Sequence, residues 1–262
     1  MGSFNLGPLS SDGTPKSEFH SVSSQKPTDV FSFSLDNSGN INLALTGMTA
    51  DADVKLYRFE DLNGNGVYDD QNEQVLIGES SRGDTKEEAI NIANQPAGYY
   101  WAEVSSYRGV NNTAYDLRLS TTPFQQPSNL LPVEKEVGAL TSTQTFTDAE
   151  ERSEFGLSNN DTSDIYHFVV NTAGNFSFSL TGLTADADIR LIQDSNGNRV
   201  VEPNLTFPSD EVLEVSRQSG TTDDSITQFL NPGDYYVQVY QYAELPTDSQ
   251  GIGYTLTMAP VA

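Results

Sequence analysis

Leu45-Thr46-Gly47-Met48-Thr49-Ala50-Asp51-Ala52-Asp53-Val54-Lys55-Leu56 returns as Leu180-Thr181-Gly182-Leu183-Thr184-Ala185-Asp186-Ala187-Asp188-Ile189-Arg190-Leu191. Nine of the twelve positions are identical, and the other three are conservative. The offset is 135 residues in a chain of 262, so the sequence reads as one module written twice.

Outward from this stretch the match continues. Asp29-Val30-Phe31-Ser32-Phe33 is repeated by Asp164-Ile165-Tyr166-His167-Phe168, and Leu6-Gly7-Pro8-Leu9 by Val137-Gly138-Ala139-Leu140. Tyr99-Tyr100-Trp101-Ala102-Glu103-Val104 and Tyr115 to Leu119 recur as Asp234 to Val239 and Tyr254 to Met258. Within each copy the apolar residues alternate. Phe31, Phe33 and Leu35 share one strand face with serines opposite, and Ile41, Leu43 and Leu45 follow after an Asp36-Asn37-Ser38-Gly39-Asn40 turn. Val54 to Phe59 and Glu87 to Ile92 read as further strands. The expectation is an all-β chain of two tandem antiparallel β-sandwich domains, 1–122 and 134–262. Residues 123–133 hold three prolines and read as a semi-rigid spacer with little to bury.

Five pieces occur in the same order in each half. They are Asp-x-Tyr/Phe-x-Phe, an alternating strand after Gly-Asn, Leu-Thr-Gly-x-x-Ala-Asp-x-Asp, a Gly-x-Tyr-Tyr/Trp strand and a closing Tyr-x-Leu. Together they resemble the bacterial pre-peptidase C-terminal domain, here in two copies. The resemblance implies a jelly-roll-like sandwich of the kind that trails secreted peptidases, and related collagen-binding modules are stiffened by calcium. No catalytic domain accompanies the two copies, so the peptidase context does not carry over.

The balance of 13 basic against 37 acidic residues gives a formal charge of −24. Such a surface repels phosphate backbones and anionic lipid, which argues against nucleic-acid partners and membrane insertion, and it attracts divalent cations. The same charge also serves simply to keep a protein soluble. With no cysteine, neither disulfides nor thiolate metal sites exist. The first residues, Met1-Gly2-Ser3-Phe4-Asn5-Leu6, have no basic region or apolar run and do not read as a signal peptide. Against that, the expected location is extracellular or at the cell surface.

Asp61-Leu62-Asn63-Gly64-Asn65-Gly66-Val67-Tyr68-Asp69 offers side-chain oxygens at loop positions 1, 3, 5 and 9, with Gly66 at 6 and the Val67 carbonyl at 7. That is the spacing of an EF-hand-type calcium loop, since calcium takes six to eight hard oxygens and alternate loop residues can present them to one centre. Glu73 stands near the twelfth position. The second copy has Asp194, Asn196, Asn198, Val200 and Glu202 at the same spacing, but Arg199 replaces the glycine at position 6, so a weaker site is expected. Ordinary Asn-Gly turns are the alternative for both loops. The pairs Asp51/Asp53 and Asp186/Asp188 point their carboxylates the same way, and they either add metal ligands or cap turns.

Tyr99 and Trp101, with Tyr236 and Tyr240 in the second copy, alternate with inward residues. They form a candidate stripe for polysaccharide or an extracellular protein, or they pack under a neighbouring loop. The histidines, His20 and His167, stand in no hydrolase motif, and no Gly-x-Ser-x-Gly or phosphate loop is present. The expectation is a non-catalytic, calcium-binding building block of a surface, matrix or filament, with possible self-assembly through sheet edges or the N-terminal strand. The alternative is an accessory binding module of a secreted hydrolase.

Overall fold

The computed structural model describes residues 1–62, 64, 73–109, 112–147, 161–202, 211–242 and 251–261. The chain divides into two compact units, Met1–Phe124 and Gln125–Ala262. Unit 1 contains β1 (Gly2–Pro8), β2 (Lys16–Val22), β3 (Thr28–Leu35), β4 (Gly39–Thr46), β5 (Ala52–Phe59), β6 (Gln74–Ser80), β7 (Glu88–Gln95), β8 (Gly98–Ser106) and β9 (Thr113–Thr122). Unit 2 repeats them as β10 (Lys135–Ala139), β11 (Gln144–Thr147), β12 (Ser163–Val170), β13 (Gly174–Thr181), β14 (Ala187–Ile192), β15 (Val212–Ser216), β16 (Asp224–Leu230), β17 (Gly233–Gln241) and β18 (Thr255–Val261).

Each unit is a sandwich of a five-stranded and a four-stranded sheet. The orders are β1-β3-β8-β5-β6 with β2-β9-β4-β7, and β10-β12-β17-β14-β15 with β11-β18-β13-β16. The two orders are the same when the strands are matched one for one, so the repeat in sequence is a repeat in topology. Two details depart from the expectation. The opening strand of each unit pairs parallel, β1 with β3 and β10 with β12, while the remaining strand pairs in these sheets are antiparallel. The strands at 16–22 and 144–147 carry too few apolar residues to announce themselves by alternation; β2 exposes Phe19 at its centre.

Alternation decides the core. Phe31, Phe33, Leu35, Tyr100, Ala102 and Val104 meet Ile41, Leu43, Leu45, Tyr115, Leu117 and Leu119 across the unit 1 interior. Phe168, Val170, Tyr235, Val237, Phe178, Leu180, Leu256 and Met258 do the same in unit 2. Burying one such side chain contributes roughly 1.5–3 kcal/mol. The opening strands also share a device. The register slips at Gly7 and again at Gly138, which adopt φ of +67° and +73°. A side chain there would be strained, so the glycine lets the entering strand bulge and still follow its partner.

The second half of the spacer is not a spacer. Leu130 and Leu131 are each 1% exposed, and Leu130 bridges to Val200. Leu131 packs with Ile165, Ile192, Val201, Val212 and Tyr236 on the outer face of the five-stranded sheet, with Val133 and Val215 at its margin. Beneath this roof Arg190 donates from Nε to Gln238 Oε1 (2.5 Å) and from Nη2 to the Ser128 carbonyl (2.7 Å). Three prolines give the segment the composition of a spacer, but its Leu-Leu pair faces an apolar sheet surface.

Candidate metal centres

The Asp that opens each Asp-x-Tyr/Phe-x-Phe strand points inward, on the same face as the aromatics that follow. Burial leaves Asp29 and Asp164 fully covered. A buried carboxylate must be hydrogen-bonded and compensated. Each is held by a tyrosine at the start of the closing strand segment. Tyr115 Oη donates to Asp29 Oδ2 at 2.8 Å, and Tyr254 Oη to Asp164 Oδ2 at 2.5 Å. Burial, with Asp164 beside it, pushes the Tyr254 hydroxyl well above the ordinary tyrosine range.

Compensation of charge then differs between the units. In unit 1 the residue three before Asp29 is Lys26, whose Nζ lies 2.7 Å from Asp29 Oδ1. The Gly2 amide donates to the same oxygen at 3.1 Å. In unit 2 the residue three before Asp164 is Asp161, and Glu134 joins it. Glu134, Asp161 and Asp164 each bring a carboxylate oxygen within 4.8 Å of the others. Glu134 Oε2 also accepts the Ile165 amide at 2.9 Å, which fixes it beside the strand that carries Asp164. Where unit 1 places an ammonium, unit 2 thus places two more acids. Sequence reading missed this trio because no fragment of it has a metal motif; the charge reversal from Lys26 to Asp161 in aligned repeats was the available signal.

Of the first loop, Asp61, Leu62, Gly64 and Glu73 are described, while Asn63, Asn65, Val67 and Asp69 lie outside the described residues. Asp61 Oδ1 accepts the Gly64 amide at 2.7 Å, and Glu73 is buried. The second loop is described throughout. Asp194 Oδ1 accepts the amides of Gly197 (2.9 Å) and Asn198 (3.2 Å), and Oδ2 accepts that of Arg199 (2.8 Å). Asn196 Oδ1 accepts the Asn198 amide, Asn198 Oδ1 accepts the Val200 amide, and Asn198 Nδ2 donates to Glu202 Oε1. The side-chain oxygens of Asp194, Asn196 and Asn198 thus also cap the loop's own turn. Arg199 takes the strained left-handed bend, with φ of +57°.

The Asp-x-Asp pairs sit where β5 and β14 begin. In unit 1 Asp51 and Asp53 are half-buried, and Glu88 is the third acid of the group. Burial first, then Asp51 and Glu79, raise Asp53. In unit 2 Asp186 is half-buried and Asp188 is 1% exposed. Burial, then Asp224 and Asp186, push Asp188 up to about 7.

The aromatic stripe exists in one unit only. Tyr99 is 69% exposed, and Trp101 stacks on Tyr57 with centroids 5.8 Å apart on the open outer face of unit 1. Tyr236 and Tyr240, expected to share such a stripe, are 5% and 1% exposed. Leu131 and its neighbours cover Tyr236, and Arg217 Nε donates to Tyr240 Oη at 3.1 Å. That expectation is corrected: the roof of unit 2 occupies the face a ligand would need.

No helix among the described residues is long and apolar enough to cross a membrane. A two-unit chain of nine-stranded sandwiches with buried, acid-bearing strand openings defines a tandem β-sandwich protein. Residues 162–241, within the second unit, match the family model of the bacterial pre-peptidase C-terminal domain. No curated protein matches the chain. Among solved structures, the pre-peptidase C-terminal domain of a collagenase from Bacillus anthracis is 20% identical and covers 48% of this chain and 91% of that one, with a TM-score of 0.29. PliG of Aeromonas hydrophila, a periplasmic inhibitor of g-type lysozyme, is 15% identical over 45% of this chain and 98% of its own, with a TM-score of 0.31. A chain of Sulfolobus turreted icosahedral virus is 14% identical over 96% and 94%, with a TM-score of 0.29. Scores this low place no constraint on function.

Proposed function

We propose that this chain is a non-catalytic, calcium-binding accessory or structural protein of the cell exterior, with Glu134, Asp161 and Asp164 as its principal metal ligands. One observation carries the reading: Asp161 stands where Lys26 stands in the repeat, so three carboxylates converge at the buried Asp164 where an ammonium meets the buried Asp29. Calcium suits three hard carboxylates at a strand opening, and water can complete its shell. Bound there, it ties the segment that roofs the sheet to the strand beneath and does the work of an absent crosslink. The pre-peptidase family match supports an exported, non-catalytic setting.

The test is thermal melting in calcium and in EDTA. Binding to the folded state alone stabilises by about 2.7 kcal/mol at a hundredfold excess over Kd. Wild type should melt several degrees higher in calcium. Asp161→Lys, which copies unit 1, should melt high in EDTA and gain much less from calcium. Equal gains in wild type and Asp161→Lys would refute the assignment.

A second reading concerns the open face of unit 1. The Tyr57–Trp101 stack beside exposed Tyr99 is a flat aromatic platform suited to a sugar ring or a peptide. It supports the accessory-module alternative, and pull-down on polysaccharide or matrix protein by wild type but not Trp101→Ala would sustain it. Self-assembly through the β1 edge is the corresponding structural role. Light scattering showing monomers only, with calcium present, would remove it.

A further inference from the structure

The roof of unit 2 shows what the outer face of its five-stranded sheet is built to hold. Leu131 packs on Tyr236, Ile192 and Val212, a row that runs across β17, β14 and β15. Ile165 of β12 extends the apolar surface on one side. The polar end of the seat is Arg190 and Gln238. Arg190 Nη2 and Gln238 Nε2 both donate to the Ser128 carbonyl, at 2.7 and 3.0 Å. The occupant is thus a stretch of peptide, gripped by a backbone carbonyl and an apolar side chain.

Unit 1 carries the same seat. The 135-residue offset sets Trp101 in the place of Tyr236, Tyr57 in that of Ile192 and Val30 in that of Ile165. Strand pairing sets Leu76 in the place of Val212, because Leu76 faces Tyr57 as Val212 faces Ile192. Trp101, Tyr57 and Leu76 therefore form the matching row across β8, β5 and β6. All four positions stay apolar, yet Leu76 is 47% exposed, and Val30, Tyr57 and Trp101 are only half-buried. Contiguous exposed apolar surface of this kind marks a place where another molecule sits.

The polar end of the seat has changed character. Lys55 replaces Arg190 and Glu103 replaces Gln238, so one of the two donors has become an acceptor. Glu79 replaces Val215, and Lys55 Nζ lies 3.3 Å from its Oε1. Two carboxylates against one ammonium favour a cation at the point where unit 2 receives a neutral carbonyl. The net charge of −24 on the chain favours a basic partner as well.

We propose that the outer face of unit 1 binds an extended peptide of a partner protein, with a large aliphatic side chain on the Trp101–Tyr57–Leu76 row and a lysine or arginine reaching Glu103 and Glu79. This assignment rests on the platform reading of the same face and chooses peptide over sugar, because the repeat holds a peptide on the matching surface. The row supplies affinity, and the acids supply selectivity.

Trp101 is the only tryptophan of the chain, so its emission reads this face directly. The probe is a synthetic peptide of residues 125–134 carrying Ser128→Arg, which contains no tryptophan. Titrated into the full chain, it should shift Trp101 emission to the blue and saturate. Adding Leu131→Ser to the peptide should abolish the shift. In the protein, Leu76→Asp should weaken binding by about tenfold or more. Glu103→Lys should reverse the preference, from the peptide with Ser128→Arg to one with Ser128→Glu. Leu76 is exposed and Glu103 partly so, and far-UV circular dichroism confirms that both variants fold. No shift at millimolar peptide, an equal shift with Leu131→Ser, or a Glu103→Lys protein that still prefers arginine overturns the proposal. Trp101-dependent retention on polysaccharide, with no response to the arginine peptide, overturns the choice of peptide and leaves the aromatic platform standing.

Discussion

Lys26 Nζ and Asp29 Oδ1 stand 2.7 Å apart, and Asp29 is fully buried while the lysine reaches it from a partly exposed position. The pair is the internal counterpart of an ion site. Lys26→Met should therefore leave a covered carboxylate with only the Gly2 amide and the Tyr115 hydroxyl, at a cost of about 1–3 kcal/mol to unit 1. Urea denaturation of the full chain at low salt measures it. Calcium added to Lys26→Met should not restore the loss, because unit 1 offers no second acid at position 161's counterpart.

Tyr254 tests the other half of the same design. Its hydroxyl donates to Asp164 and sits 2.7 Å from the Tyr166 hydroxyl. Tyr254→Phe should lower the stability of unit 2 by about 1–3 kcal/mol in EDTA, since it strips a donor from a buried acid. Thermal melts in EDTA give the value, and no change would mean the hydroxyl is replaceable by water.

Glu88 sets a pH dependence. Burial raises its carboxyl from 4.5 to about 7 in the folded unit, against the pull of Ser80 and the Arg82 amide. Between about pH 4.5 and 7 the folded state keeps a proton that the unfolded chain has released. This contribution to stability is complete below about pH 4.5 and is lost as pH rises through about 7. Glu88→Gln should flatten that fall, with urea midpoints above wild type at pH 8 and near it at pH 4.5. A wild-type midpoint independent of pH over that window would contradict the burial argument.

The roof over unit 2 predicts a contrast between two apolar side chains. Leu131→Ala should cost about 2–5 kcal/mol, as for any buried leucine in a close-packed cluster. Tyr99→Ala, on the open face of unit 1, should stay within about 0.5 kcal/mol. Chemical denaturation of both variants reads the difference, and a neutral Leu131→Ala would return residues 125–133 to the status of a spacer.

Much of the fold was legible because period-two alternation is a direct consequence of half-burial. Phe31, Phe33, Leu35, Tyr100, Ala102 and Val104 all point as their spacing says. The Gly7 and Gly138 bulges follow from two glycines in matching places. What could not be read was set by long-range pairing. Nothing local to Gly2–Pro8 tells it to run parallel to β3, and β2 is too polar to be seen. The aromatic stripe was half right for the same reason: alternation says that Tyr236 and Tyr240 face away from the core, but not that the chain returns to cover them. At the sites, loop spacing points to the Asp194 segment, whose oxygens also cap its own turn. The convergent acids Glu134, Asp161 and Asp164 come from separate segments, and only superposing the repeats exposes the lysine that one copy lacks.

Because Leu130, Leu131 and Val133 lie upstream of the first strand they shelter, the unit that folds starts earlier than the unit that repeats. A recombinant fragment begun at residue 134 would carry all nine strands and still bare Ile165, Ile192 and Tyr236 to solvent. Begun at residue 125, the same fragment would keep its cover. For a string of such units, each cut site belongs before the counterpart of Pro127 rather than after that of Pro132.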